Sequence, residues 1–352
     1  MVTLGSVAGR SALSAILVMV SVMGLLGCGD GRSAPMATGD STARSATTTS
    51  PAGPVSSDPT GGSAPETEPV LPVTVTDVTG AEVTITSADR IIPLDGTVAE
   101  VVFALDLGDR VVATDLSATY PPEADALPEI GYQRALGAEP IAGFEPTVLL
   151  ATDIAGPPET LDELRTLGFP VVIVPNESSP DGPGDKIRAV AEALGVPERG
   201  RALADQVDAE ITRASSDPDD TENPDDRPLV AALYLRGNSA QLVLGRTAAT
   251  HWLIEAAGGV DLADRLDIED NAPITAEALL ETAPDVLLVP SSGLESVGGV
   301  DGLLEIAGLG HTPAGESRQV LAFDDQLLLG NGPRVGQLLA ELRHQLDGVT
   351  PS

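Results

Sequence analysis

Tyrosine is scarce in this chain of 352 residues, which has three. Two of them share one local setting. Tyr132 lies in Gly131-Tyr132-Gln133-Arg134-Ala135-Leu136-Gly137-Ala138-Glu139, and Tyr234 in Tyr234-Leu235-Arg236, so each stands in a Tyr-x-Arg triplet. A phenolate oxygen is a good axial ligand for ferric haem iron. A nearby guanidinium favours the ionised phenol and lowers its pKa. Two such pairs, one in each half of the chain, could grip a flat anionic iron ligand from both sides. The same spacing also fits two ordinary half-buried aromatics, and residue types alone leave both readings open.

Composition narrows the field. The chain carries 19 basic and 53 acidic residues, a formal net charge of −34. Such a surface repels phosphate backbones, so nucleic acid is excluded as a partner. An anionic ligand would need local arginines to overcome that field, because the only lysine is Lys186. With one cysteine, Cys28, no intrachain disulfide can form. His251, His311 and His344 are widely spaced and stand in no metal-ligand pattern. The chain contains no Gly-x-Ser-x-Gly elbow, no His-Glu-x-x-His and no Walker loop, so a surface hydrolase has no motif to support it.

The elements that must position these residues read in order. Arg10 precedes an apolar run over 12–26, too short for a membrane span and matched to a signal-peptide core. Residues 29–70 are Ser, Thr, Pro, Gly and Ala with scattered acids, a composition that reads as a tether. Alternation over 73–77 and 82–86 predicts a β-hairpin. Strands are expected over 90–94, 110–114, 147–151 and 171–174, with helices over 96–107 and 157–167 between them. Helices over 185–194 and 197–215 follow, then an acidic segment, 217–228, read as a solvated loop. A second set has strands at 229–233, 286–289 and 319–323 and helices at 248–257, 275–281, 300–307 and 333–346. Alternating strand and helix argues for parallel sheets covered on both faces. The expected organisation is a leader (1–28), a tether (29–70), an N-terminal α/β lobe (71–180), a linking helical segment (181–216), the acidic loop and a C-terminal α/β lobe (229–352).

Leu25-Leu26-Gly27-Cys28 resembles the lipobox of bacterial lipoproteins, which implies lipidation at Cys28. Two α/β lobes, one helical connection and that lipobox look like the substrate-binding lipoproteins of bacterial ABC importers for haem, cobalamin and ferric siderophores. Residues 131–139, Pro146-Thr147-Val148-Leu149, Ala155-Gly156-Pro157-Pro158, Tyr234-x-Arg236 and Leu329-Gly330-Asn331-Gly332-Pro333-Arg334 resemble the haem-binding members. The resemblance covers about residues 72–347. It implies two Rossmann-like lobes joined by a single long helix, the class III architecture, with the ligand cleft between them. It implies axial ligation of haem iron by Tyr132 and Tyr234, with Arg236 bonding the Tyr234 phenolate. Arg134 and Arg334 are candidate propionate partners on charge and location, with structural ion pairs as the alternative; Tyr120 is read as packing. Glu100 and Glu255 match the glutamates that dock each lobe on the permease, and each is expected to be exposed on the first helix of its lobe. The protein so implied is a monomeric, non-catalytic haem carrier, lipid-anchored on the extracytoplasmic face, that delivers its ligand to an ABC permease. A ferric-siderophore or cobalamin binder is the alternative within the family; a haem relay without a permease is another.

Overall fold

The computed structural model describes residues 68–215, 227–306 and 308–351. The leader with Cys28, nearly all of the tether and most of the acidic 217–228 segment lie outside the described residues.

The expected hairpin forms from β1 (Val73–Thr76) and β2 (Glu82–Ile85), paired antiparallel. Asp77 ties its turn: one carboxylate oxygen accepts from the Thr79 and Ala81 amides at 2.9 and 3.1 Å. The chain continues through β3 (Ile91–Pro93), α1 (Gly96–Ala104), α2 (Pro122–Asp125), α3 (Ala138–Ala142), β4 (Val148–Ala151), α4 (Pro158–Thr166) and β5 (Val171–Ile173). These three later strands form a parallel sheet in the order β3-β4-β5. The strand expected over 110–114 is reduced to isolated bridges, Ile91–Val111 and Thr114–Glu129. Arg110 is consumed by a 3-10 turn, Gly108–Arg110, so the chain reaches the sheet edge late and soon leaves it.

Two helices follow, α5 (Gly182–Ala193) and the 18-residue α6 (Pro197–Ala214), packed on each other. Gly195 makes the turn between them at φ +71°, and a Cβ there would lie 2.7 Å from the Val70 carbonyl oxygen. Both the left-handed backbone and the close approach require glycine.

The second half contains β6 (Leu229–Arg236), β7 (Ala240–Val243), α7 (Ala249–Ala256), β8 (Val260–Asp261), α8 (Leu262–Arg265), β9 (Ala272–Pro273), α9 (Ala276–Thr282) and β10 (Val286–Pro290). Then come α10 (Ser291–Ser296), α11 (Gly299–Glu305), α12 (Pro313–Ser317), β11 (Val320–Phe323), α13 (Asp325–Leu329) and α14 (Val335–Leu346). The sheet order is β11-β10-β6-β7-β9, with β8 also paired to β6. Strands β11, β10, β6 and β8 are parallel, but β7 and β9 add on antiparallel, so this sheet is mixed rather than wholly parallel.

Alternate residues of each central strand enter different cores, as a period of two requires. Ile91, Val148, Leu150, Val230, Ala232 and Leu288 face one large cluster that also takes up Ile187, Val190, Val207 and Leu338 from α5, α6 and α14. Ile92, Leu149 and Ala151 face a second cluster with Leu161 and Leu164. Ala231, Leu233, Leu287 and Val289 face a third. Sheets covered on both faces explain why the strands read as continuous apolar runs. The result is a mixed α/β fold in which the shared cluster and a polar clasp described below join the two sheets within one unit, Ser63–Ser352.

Candidate functional site

Tyr234 and Arg236 lie near the carboxyl end of β6, which persists through Arg236 and so sets both side chains on one face. The Arg236 guanidinium carbon stands 4.7 Å from the Tyr234 ring centroid. Its nitrogens donate to Asp325 Oδ1 at 3.1 Å and to the Leu235 carbonyl at 3.0 Å. Asp325 also accepts from the Ser292 amide at 3.0 Å and from the Ser292 hydroxyl. Arg236, Ser292 and Asp325 thus converge just beyond the carboxyl ends of β6, β10 and β11, where open α/β sheets receive ligands. The expected bond from Arg236 to the Tyr234 phenolic oxygen is not made among the described residues. The guanidinium stacks on the ring face, and Asp325 takes its charge.

The Tyr132 loop is pinned on both sides while its ring stays outside. Gly131, at φ +107°, turns the chain, and its carbonyl accepts from the Leu116 amide at 2.9 Å. The Ala135 amide closes a turn onto the Tyr132 carbonyl at 2.7 Å, and Gln133 and Leu136 exchange backbone bonds with Gly156. Tyr132 is 43% exposed on this fixed backbone. Arg134 is exposed and makes no ion pair among the described residues. Just below the loop, Asp115 is buried and accepts from the Ser117 amide and hydroxyl at 2.9 and 3.0 Å. Burial pushes its carboxyl up to about 6, against those hydrogen bonds and with added repulsion from Asp95.

Glu100 differs from expectation. It sits on α1 but is buried, at 4% exposure, because nearly the whole helix is covered. Arg334 grips it with two bonds, Nε to Oε1 at 2.9 Å and Nη2 to Oε2 at 3.0 Å. Gln326 Nε2 adds a third bond to Oε2 at 3.0 Å. On its other side the Arg334 guanidinium lies 3.6 Å over the Tyr120 ring. Glu100 is therefore not an exposed docking residue in this conformation, and Arg334 makes the structural ion pair that its charge and location also allowed. Tyr120 packs, as expected, though against a guanidinium.

Lys186, on α5, completes this clasp. Fully buried, its ammonium donates to Thr97 Oγ1 at 2.9 Å and to the Gly330 and Asn331 carbonyls at 3.0 and 3.3 Å. Burial draws its pKa down, opposed by the charges of Asp95, Glu100 and Asp153. Sequence reading missed Asp325, Gln326 and the clasp, whose partners lie far apart in the chain. One signal for Glu100 was available: α1 is apolar around most of its circumference, which marks a helix buried all round. Glu255, by contrast, is exposed on α7 as expected, with His251 one turn earlier.

Residues 91–327 match the family described as periplasmic binding protein. Among solved structures, the periplasmic haem-binding protein RhuT from Roseiflexus sp. RS-1, in apo form, is 48% identical with a TM-score of 0.71, over 74% of this chain and 98% of that one. The haem-binding protein HmuT is 37% identical with a TM-score of 0.73, over 80% and 91% of the two chains. The periplasmic haem-binding protein BhuT, in complex with two haems, is 34% identical with a TM-score of 0.66, over 73% and 97%. Among curated sequences, a vitamin B12-binding protein of Vibrio cholerae serotype O1 is 32% identical over 117 residues, 33% of this chain and 42% of that protein. That match spans less than half of the relative's length. The family match runs from the first strand of the parallel sheet to the helix that carries Asp325, taking in both sheets and most of the clasp: the chain belongs to the periplasmic binding protein family.

Proposed function

We propose that this protein binds ferric haem in a cleft between two lobes, one built on each sheet, and hands it to an ABC permease. The observation that carries the reading is the 48% identity, across 74% of the chain, to a protein whose name states that it binds haem. In this reading α6 is the rigid connection of the class III architecture. Tyr132 and Tyr234 supply axial phenolates to the iron, a hard anionic donor set that favours the ferric state. The exposed Tyr132 ring and the position of Tyr234 near the carboxyl end of β6 support those roles. Arg236 reaches a Tyr234 phenolate only by turning from the ring face and loosening Asp325. Arg134 is free to meet a propionate, whereas Arg334 is committed to Glu100. Glu255 is the accessible docking carboxylate, and Glu100 joins it only if Arg334 lets go. Lipidation at Cys28 anchors the protein, as a monomer, on the extracytoplasmic face. No catalysis is required, in keeping with a family of binding proteins. Among the described residues no helix is long and apolar enough to cross a membrane.

The test is a hemin titration of the mature chain followed in the Soret region, beside Tyr132→Ala, Tyr234→Ala and the double variant. Each single variant is expected to keep some haem with a shifted spectrum, because porphyrin burial remains. The double variant is expected to lose most of it. A wild-type spectrum in the double variant refutes tyrosine ligation. A second reading, cobalamin, draws on the partial match to the B12-binding protein. Saturable binding of cyanocobalamin with no Soret shift from hemin would put it ahead.

A further inference from the structure

Outside the proposed cleft, α7 and α8 bring a ring nitrogen and two carboxylates together. One ligand atom from each of His251, Glu255 and Asp264 lies within 4.8 Å of the others. From this geometry we infer that His251, Glu255 and Asp264 form a binding site for one divalent transition-metal ion of the zinc class, with Asp261 orienting the histidine.

The elements explain the convergence. His251 and Glu255 are four residues apart on α7, so they share one face of the helix. Asp261 ends β8 and caps α8, accepting from the Ala263 amide at 3.0 Å with Oδ1. That fixed cap leaves Oδ2 against His251 Nδ1, at 3.1 Å. An ionised carboxylate can only accept, so Nδ1 donates to Asp261, and in the neutral ring this leaves the Nε2 lone pair available to a metal ion. This is the second sphere that metal-bound histidines ordinarily have: a buried carboxylate that sets tautomer and ring angle. Asp261 is inaccessible and His251 is one-fifth exposed, so the inner half of the site is rigid.

Spacing separates this arrangement from an ordinary helix-face pair. His251 Nε2 stands 3.7 Å from Glu255 Oε2, too far for a hydrogen bond. Two atoms each about 2.0–2.2 Å from a tetrahedral ion lie about 3.4 Å apart, so a contraction of a few tenths of an ångström completes that edge. Neither Glu255 nor Asp264 is paired with an arginine or lysine among the described residues, so a cation would also relieve their mutual repulsion. One imidazole with two carboxylates suits zinc, cobalt or manganese rather than a soft cuprous ion. Glu255 and Asp264 are both exposed, and water would fill the remaining positions.

The mature chain, stripped with chelator, would be titrated with Zn2+ in competition with a chromophoric zinc indicator. Co2+ would be added separately for its visible d–d spectrum. One site per chain is expected, weakened at least tenfold by His251→Ala and by Asp264→Asn. Asp261→Asn, which removes only the orienting carboxylate, is expected to weaken it about 10- to 100-fold. The exposed acids Asp267 and Glu269, which pair with Arg246, serve as the control. Asp267→Asn/Glu269→Gln should bind as wild type does. Far-UV circular dichroism and the hemin Soret spectrum should be unchanged in His251→Ala, which separates loss of metal from loss of fold or of the haem site. If His251→Ala binds zinc as wild type does, or the control loses as much as His251→Ala, the ion is held by the acidic surface at large and the inference is wrong. A titration that finds no stoichiometric site overturns it as well.

Discussion

Arg334→Met tests the Glu100–Arg334 clasp most directly. The substitution keeps the aliphatic stem but removes the guanidinium, leaving a carboxylate whose side chain is 5% exposed. Breaking a buried ion pair from one side costs roughly 3–5 kcal/mol, because the survivor keeps its desolvation penalty without its partner. Glu100 would retain the Gln326 bond at 3.0 Å, which places the cost toward the lower end. Loss of the guanidinium over Tyr120 adds about 0.5–1 kcal/mol, since that ring is partly exposed. The expected total is about 4 kcal/mol, or a fall in Tm of about 8 °C at roughly 2 °C per kcal/mol for a body of this size. Urea unfolding followed by circular dichroism and by the fluorescence of Trp252, the chain's one tryptophan and a buried residue of α7, would measure it. Glu100→Leu/Arg334→Met removes both charges together and should cost less than Arg334→Met alone. If Arg334→Met costs under about 1 kcal/mol, or the double variant costs the sum of the two singles, Glu100 is not buried against Arg334 in solution.

Three further outcomes are expected. Asp115, with its carboxyl raised to about 6 from 3.8, binds its proton more tightly folded than unfolded, so its ionisation opposes folding by up to about 3 kcal/mol at pH 7 and by nothing below about pH 4. Asp115→Asn should therefore flatten the stability profile between pH 4 and 6 and raise stability at pH 7; an unaltered slope across that window would contradict the assignment. Glu255→Ala should impair haem-dependent growth while leaving the hemin spectrum intact, and undiminished growth would remove Glu255 from docking. Cys28→Ala should release the protein from membranes or leave it as precursor, and unchanged membrane fractionation would exclude lipidation there.

Much of this fold is written locally. The buried strands β3, β4, β6 and β10 announce themselves as apolar runs, and Gly168 and Gly195 close the helices before them in the left-handed turns that glycine favours. What escaped depends on distant parts of the chain. β7 is a four-residue strand between β6 and β9 whose pairing with β6 turns on Gly237 and Asn238, too little sequence for an alternating pattern. α3 contains Pro140 and reads as loop, yet proline fits in a first helical turn. The two tyrosines stand out by type and spacing alone. The partners of Glu100, Arg236 and Lys186 do not, because those contacts join α1, β6 and α5 to residues 324–334, beyond the reach of any local pattern.

The burial of Lys186 gives the molecule an unusual chemical silence. An amine-directed acylating reagent meets no ε-amino group on the native surface, since the chain's only lysine lies inside the clasp with its three donors engaged. Labelling of that one nitrogen, read as a mass shift on the peptide containing residue 186, would then time how often α1, α5 and the 330–334 segment come apart. Opening too brief for spectroscopy would accumulate as a covalent record. A ligand that holds the two sheets together would slow that record in proportion to its occupancy.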